Sequence, residues 1–114
     1  AEAILRRRRG QRGVEKTVTF GEVVIEVTLR RVRVRGQLVE FSAKEFDLLL
    51  LLAQAPGHPF SRETILDRIW GWDFDGTVRT VDNFILAIRQ KMEKDPSKPS
   101  HLKTVRGVGY RLDY

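Results

Sequence analysis

The first hydrophobic pattern in the chain has a period of two. Val18 and Phe20 alternate with polar neighbours, and Arg31–Arg35 alternates arginine with valine before Gly36. Successive side chains of a β-strand point to opposite faces, so this pattern gives one apolar face and one solvent-exposed polar face. The stretch Thr17–Phe41 therefore predicts three or four short antiparallel strands joined by tight turns.

Two capped helices are predicted in the middle of the chain. Ser42 and Glu45 have the spacing of a capping box, and the helix that they begin runs to about Gln54. Its five consecutive leucines cannot share one stripe, so we expect this helix to be the buried centre of the fold. Ser61 caps a second helix, which ends at Gly71.

A third helix is predicted from Val78 or Arg79 to Glu93. Its apolar residues recur at helical spacing and should pack inward: Val81, Phe84, Ile85, Ile88 and Met92. At ~100° per residue, the opposite face carries a mainly polar set flanked by Ala87 and Lys94: Arg79, Asn83, Leu86 and Gln90. This outward face has few acids, with Glu93 at its far end and Asp82 on its flank.

The outward face of this helix has the chemistry of a base-contacting surface. Arg, Asn and Gln side chains pair with base edges in a major groove, and a small or apolar residue can meet a thymine methyl group. An ordinary amphipathic helix with a solvated face has the same pattern, and the helix alone leaves both interpretations open.

A β-hairpin is predicted to follow the three helices. Leu102–Arg106 forms one strand, Gly107–Gly109 the turn, and Tyr110–Tyr114 the return strand. Three helices followed by a hairpin are the layout of a winged helix. Arg106, near the tip, can enter a minor groove, where the negative potential favours arginine.

Composition and charge narrow the possible functions. The 114 residues include no cysteine, which excludes disulfides, thiol catalysis and cysteine-based zinc fingers. The longest apolar run, Leu48–Ala53, is far too short to span a membrane. The net charge of +6 favours a polyanionic partner, but it is unevenly distributed. Residues 42–78 carry a net −3 between segments of +5 and +4, which suggests two surfaces with two partners.

These motifs together resemble the C-terminal effector domain of OmpR/PhoB-type response regulators. The resemblance covers about Thr17–Tyr114, and it rests on several short segments: Ser42–Phe46, Ser61–Glu63, Trp70–Gly71, Arg79–Asp82 with Ile85, Ile88 and Arg89, and Thr104–Arg111. It implies an α+β winged helix-turn-helix with an N-terminal four-stranded antiparallel sheet, three helices and a C-terminal hairpin wing.

The resemblance also implies a function and partners. It implies sequence-specific binding of double-stranded DNA that controls transcription in the cytoplasm, with neither catalysis nor a cofactor. The expected partners are a second copy in tandem on direct repeats, RNA polymerase and an upstream receiver domain. Residues 1–16 resemble the end of a receiver-domain helix with its linker, and residues 17–114 the DNA-binding domain. The first residue is not Met, so we expect a piece of a longer protein.

Site residues follow from the resemblance position by position. The recognition surface comprises Arg79, Asn83, Leu86, Ala87, Arg89 and Gln90. Phe84 is left out, because the helical pattern buries it. Trp70 resembles a residue that donates its indole N–H to a DNA phosphate, and Thr104, Arg106 and Tyr110 resemble wing contacts to the backbone or minor groove. The acidic and aromatic loop resembles a polymerase contact: Trp72, Asp73, Phe74 and Asp75.

Three alternatives stay open at this point. Leu86 and Ala87 lie where the family often has basic residues, so Leu86 could instead belong to a protein-protein interface of a winged helix. An RNA-binding protein should expose aromatic residues on a sheet, which the pattern does not show. A nuclease would need a third metal ligand beside Asp73 and Asp75.

Overall fold

The computed structural model describes residues 16–71 and 76–114, which form two antiparallel sheets and three helices. The first sheet has the order β1-β2-β3-β4, with β1 at Thr17–Phe20, β2 at Val23–Glu26, β3 at Arg31–Val34 and β4 at Gln37–Val39. The helices are α1 (Ala43–Ala53), α2 (Arg62–Trp70) and α3 (Val78–Met92). A second sheet of order β5-β7-β6 contains β5 (Phe60–Ser61), β6 (Leu102–Val105) and β7 (Gly109–Leu112).

The period-two pattern produces the first sheet as predicted. Val23 and Ile25 of β2 pair with Val34 and Val32 of β3, and all four are buried. On the opposite face, the Glu26 carboxylate lies 3.0 Å from the Arg31 guanidinium and 3.5 Å from that of Arg33. These arginines are therefore paired within the sheet.

Both predicted helix caps are confirmed. The Ser42 hydroxyl accepts from the Glu45 backbone N–H at 3.2 Å, and the Glu45 carboxylate accepts from the Ser42 N–H at 2.9 Å. Ser61 caps α2 by accepting from the Thr64 N–H at 3.1 Å. Leucines of α1 face the centre of the core, as the uninterrupted leucine run predicts: Leu48, Leu49 and Leu52 are fully buried.

The hairpin has a third strand. The sequence predicts an extended segment at His58–Phe60, but not its pairing with the hairpin. Phe60 and Ser61 form β5, which pairs with Tyr110 and Gly109 of β7. At Gly109 a Cβ atom would lie only 2.0 Å from the Phe60 carbonyl oxygen, so only glycine permits this approach. The third strand fastens the hairpin to the start of α2.

One prediction on α3 is wrong. Glu93 was expected at the far end of the outward face, but it is 4% exposed. The chain leaves the helix at this residue, whose ψ of 140° is extended, and the carboxylate turns inward. It accepts backbone N–H groups of Ser100, His101 and Leu102 at 2.7–3.0 Å. A buried carboxylate thus joins the end of α3 to the start of β6.

Two sets of predictions fall outside the described residues. The receiver-helix and linker prediction concerns residues 1–16, of which only Lys16 is described. The polymerase-contact loop lies entirely outside: Trp72, Asp73, Phe74 and Asp75. The winged-helix architecture itself, with its four-stranded sheet, three helices and hairpin, is confirmed.

Candidate nucleic-acid interface

The outward face of α3 is open. The apolar face of the helix is fully buried at Val81, Ile85 and Ile88, which fixes the helix against the core. The side chains on the opposite face are exposed, and at ~100° per residue they lie within an arc of about 60°: Arg79, Asn83, Leu86 and Gln90. Neither sheet covers this face. The helix therefore presents cationic, amide and apolar groups side by side.

The flanks of this face are held by neighbouring elements. Ala87 is half-buried on one flank. On the other flank, the Arg89 guanidinium donates to the Leu102 carbonyl at 3.0 Å and to the Thr104 hydroxyl at 2.8 Å. Arg89 was predicted on the recognition surface, and the structure places it beside that surface, where it holds the hairpin against α3. Its contact with DNA stays a prediction.

Asp82 connects three elements of this region. Its carboxylate accepts the Tyr110 hydroxyl at 2.6 Å and lies 3.3 Å from the Arg62 guanidinium. Tyr110 was predicted as a wing contact, but its side chain is 8% exposed, with the hydroxyl directed at Asp82. Burial, together with this hydrogen bond, raises the pKa of Tyr110 to about 12. The hydroxyl therefore stays protonated and links the wing to α3.

The wing, which is the β6–β7 hairpin, presents two of its three predicted residues to solvent. Thr104 and Arg106 are exposed, and Gly107 forms the turn with a φ of +78°. The Thr104 hydroxyl already accepts from Arg89. Arg106 has no ion pair within residues 16–71 and 76–114. The turn of the hairpin consequently presents an exposed cation.

Trp70 lies at the end of α2 and is half-buried. Its ring meets the Phe84 ring edge-on, with centroids 4.9 Å apart. Phe84 is packed against the core, as the helical pattern predicts. The tryptophan thus occupies the junction of α2 and α3, on the border of the candidate interface.

The local sequence pattern indicates neither the ion pair of Arg62 with Asp82 nor the inward turn of the Glu93 carboxylate. Their partners lie 20 residues away at Asp82 and 7 to 9 residues away at Ser100–Leu102. Among the described residues, no three acidic or histidine side chains converge where they could hold a metal ion. No helix of the described ranges has the length and apolar character needed to cross a bilayer.

Three helices with an open polar face on the third, flanked by a hairpin, define a winged-helix DNA-binding domain. Residues 36–112 match the family model for the C-terminal domain of transcriptional regulatory proteins. The chain belongs to this family, and its fold is similar to that of an OmpR/PhoB-type response regulator.

Two curated relatives show the extent of the similarity. The transcriptional regulatory protein AfsQ1 of Streptomyces coelicolor is 40% identical over 106 residues, which cover 93% of this chain and 47% of AfsQ1. The sensory transduction protein RegX3 of Mycolicibacterium smegmatis is 41% identical over 93 residues, which cover 82% of this chain and 41% of RegX3. The chain thus spans less than half the length of these relatives.

Solved structures share the fold. The response regulator DrrB of Thermotoga maritima, an OmpR/PhoB homologue, superposes with a TM-score of 0.80 at 35% identity, covering 86% of this chain and 44% of DrrB. The RstA DNA-binding domain of Klebsiella pneumoniae, solved in complex with the RstA box, gives a TM-score of 0.77 at 35% identity. That match covers 86% of this chain and 97% of the RstA domain.

Proposed function

We propose that this domain recognises specific double-stranded DNA sequences by placing α3 in a major groove. The observation that carries the proposal is the open face of α3, where Arg79, Asn83 and Gln90 are exposed together. An α-helix fits the width of the major groove, and these residue types form hydrogen bonds with base edges and phosphates there. The RstA domain, similar to this chain, was solved with its DNA box, which supports the same ligand class.

Each site residue has a proposed role. Asn83 and Gln90 contact base edges, Ala87 and Leu86 provide apolar contacts, and Arg79 binds phosphate. Arg106 at the wing tip approaches the adjacent minor groove. The phosphate contact of Trp70 comes from the resemblance, as do the DNA contacts of Thr104, Arg89 and Tyr110. The hydrogen bonds of the latter three give them a second role, which is to fix the wing relative to α3.

The proposed partners extend beyond DNA. Two copies bind in tandem to direct repeats, and an upstream receiver domain precedes residue 17 in the complete regulator. The coverage of less than half of AfsQ1 and RegX3 supports a longer protein. RNA polymerase contacts the loop that contains Asp73 and Asp75. The domain catalyses no reaction, and it acts in the cytoplasm, where a transcription regulator meets the chromosome.

A selection from random duplexes tests the proposed function. We expect enrichment of a direct repeat with ~10–11 bp between half-site centres, because tandem copies dock one helical turn apart. Structured RNA should compete poorly with the enriched duplex. If no sequence is enriched and random duplex is not shifted at low salt, the domain is instead a protein-interaction module, with Leu86 in its interface.

A further inference from the structure

A leucine lies on the outward face of α3, about midway along the helix. Leu86 is 56% exposed, whereas its neighbour Ile85 is fully buried. Asn83 and Gln90 are exposed one helical turn before and after it. An isolated exposed leucine is ordinary on a protein surface. Here, however, the leucine lies on the surface that meets DNA in the proposed function, so the partner that it finds there is a group of the major groove.

Only one base offers that partner. A leucine side chain has neither a hydrogen-bond donor nor an acceptor. It contributes to the binding free energy only by burying apolar surface against another apolar group. Thymine alone presents an apolar group, its C5 methyl, in the major groove. We infer that Leu86 is a specificity-determining residue that recognises a thymine methyl group. This inference rests on the proposed function and deepens it.

The surroundings of Leu86 support this assignment. The nearest charged neighbours on its flank, Asp82 and Arg89, direct their polar groups to Tyr110, Arg62 and the hairpin. Their polar groups are therefore held by partners other than Leu86. The side-chain amides of Asn83 and Gln90 can each form two hydrogen bonds with adenine, one with its N6 amino group and one with N7. The expected half-site accordingly contains thymine next to adenine.

Replacing each thymine of the selected duplex in turn by deoxyuridine removes only the methyl group. With the unmodified chain, we expect one replacement per half-site to weaken binding about four-fold, the value for ~0.8 kcal/mol of lost methyl contact at 1.4 kcal/mol per tenfold change. With Leu86→Ala, binding of the thymine and deoxyuridine duplexes should become equal at that position.

Leu38 supplies a matched control, because it is a leucine of the same exposure, 55%, on the four-stranded sheet. Leu38→Ala should leave the deoxyuridine profile unchanged. The inference is overturned if Leu86→Ala retains the full methyl dependence, or if the selected half-site contains no thymine that is required for binding. Absence of any duplex binding by the unmodified chain would instead refute the proposed function itself, so the two failures are distinguishable.

Discussion

Two arginines of α3 have different surroundings. Arg89 donates to the Leu102 carbonyl and the Thr104 hydroxyl, and its guanidinium lies 5.7 Å from the centre of the Tyr110 ring. Arg79 is exposed, and it has no hydrogen bond or ion pair from its guanidinium in the part of the chain that the structure describes. Residue type alone does not separate them. The difference arises because one side chain can reach the hairpin and the other cannot.

Asn83 is the side chain on α3 best suited to select a base. Asn83→Ala should cost ~1–3 kcal/mol in binding free energy on the preferred duplex, the usual value of a lost bidentate contact, and relax the preference at one base-pair position. The measurement is the dissociation constant for all four base pairs at each position, compared between the unmodified chain and the variant.

Gln37→Ala is the matched control for this substitution. Gln37 is an exposed amide on β4, at the four-stranded sheet, so its removal should leave both affinity and base preference unchanged. If Asn83→Ala lowers the affinity for all sequences equally, Asn83 contacts the backbone and does not recognise a base.

The position of the wing relative to α3 depends on contacts between elements. Glu93 makes three of these, since its carboxylate accepts the Ser100, His101 and Leu102 backbone N–H groups. The Leu102 N–H, which is buried at the start of β6, would otherwise lack a partner, and this costs free energy. The carboxylate therefore determines where the wing begins.

Glu93→Gln should lower the free energy of unfolding by ~2 kcal/mol or more, because hydrogen bonds to a charged group contribute ~1.5–3 kcal/mol each and an amide keeps only one acceptor oxygen. Urea denaturation of the unmodified chain and the variant measures this difference.

Glu40→Gln is the control for the same chemical change. Glu40 is exposed, and within residues 16–71 and 76–114 its carboxylate has no hydrogen bond or ion pair. Its substitution should alter stability by less than ~0.5 kcal/mol, as is usual at the surface. Equal stability of Glu93→Gln and Glu40→Gln would show that the three N–H groups find water or another acceptor.

How far the sequence predicts the fold depends on how local each interaction is. Ser42 and Glu45 are three residues apart, and the sheet alternates strictly, so caps and strands follow from nearby residues. The outward face of α3 follows in the same way from helical spacing. The pairing of the strand at Phe60 with β7 and the inward turn of Glu93 depend on partners elsewhere in the chain, which no local pattern encodes.

At the scale of the whole molecule, the cations divide into paired and unpaired groups. Arg31 and Arg33 share Glu26 on the four-stranded sheet. Arg79 and Arg106 are exposed beside the candidate interface without an ion pair among the described residues. A phosphate contact gains most from a cation that lies within hydrogen-bond reach of the DNA, since screening confines charge effects to ~8 Å at physiological salt. Net charge alone therefore does not determine affinity.

Two double variants with equal charge separate these contributions. Arg31→Gln with Arg33→Gln and Arg79→Gln with Arg106→Gln each lower the net charge from +6 to +4. We expect the Arg79 and Arg106 pair to reduce the slope of log K against log salt by at least ~0.9, the value for the lost phosphate contact of Arg79, and the sheet pair to leave it nearly unchanged. Equal loss of slope in both variants would mean that overall charge, and not the face of α3 and the wing, attracts the DNA.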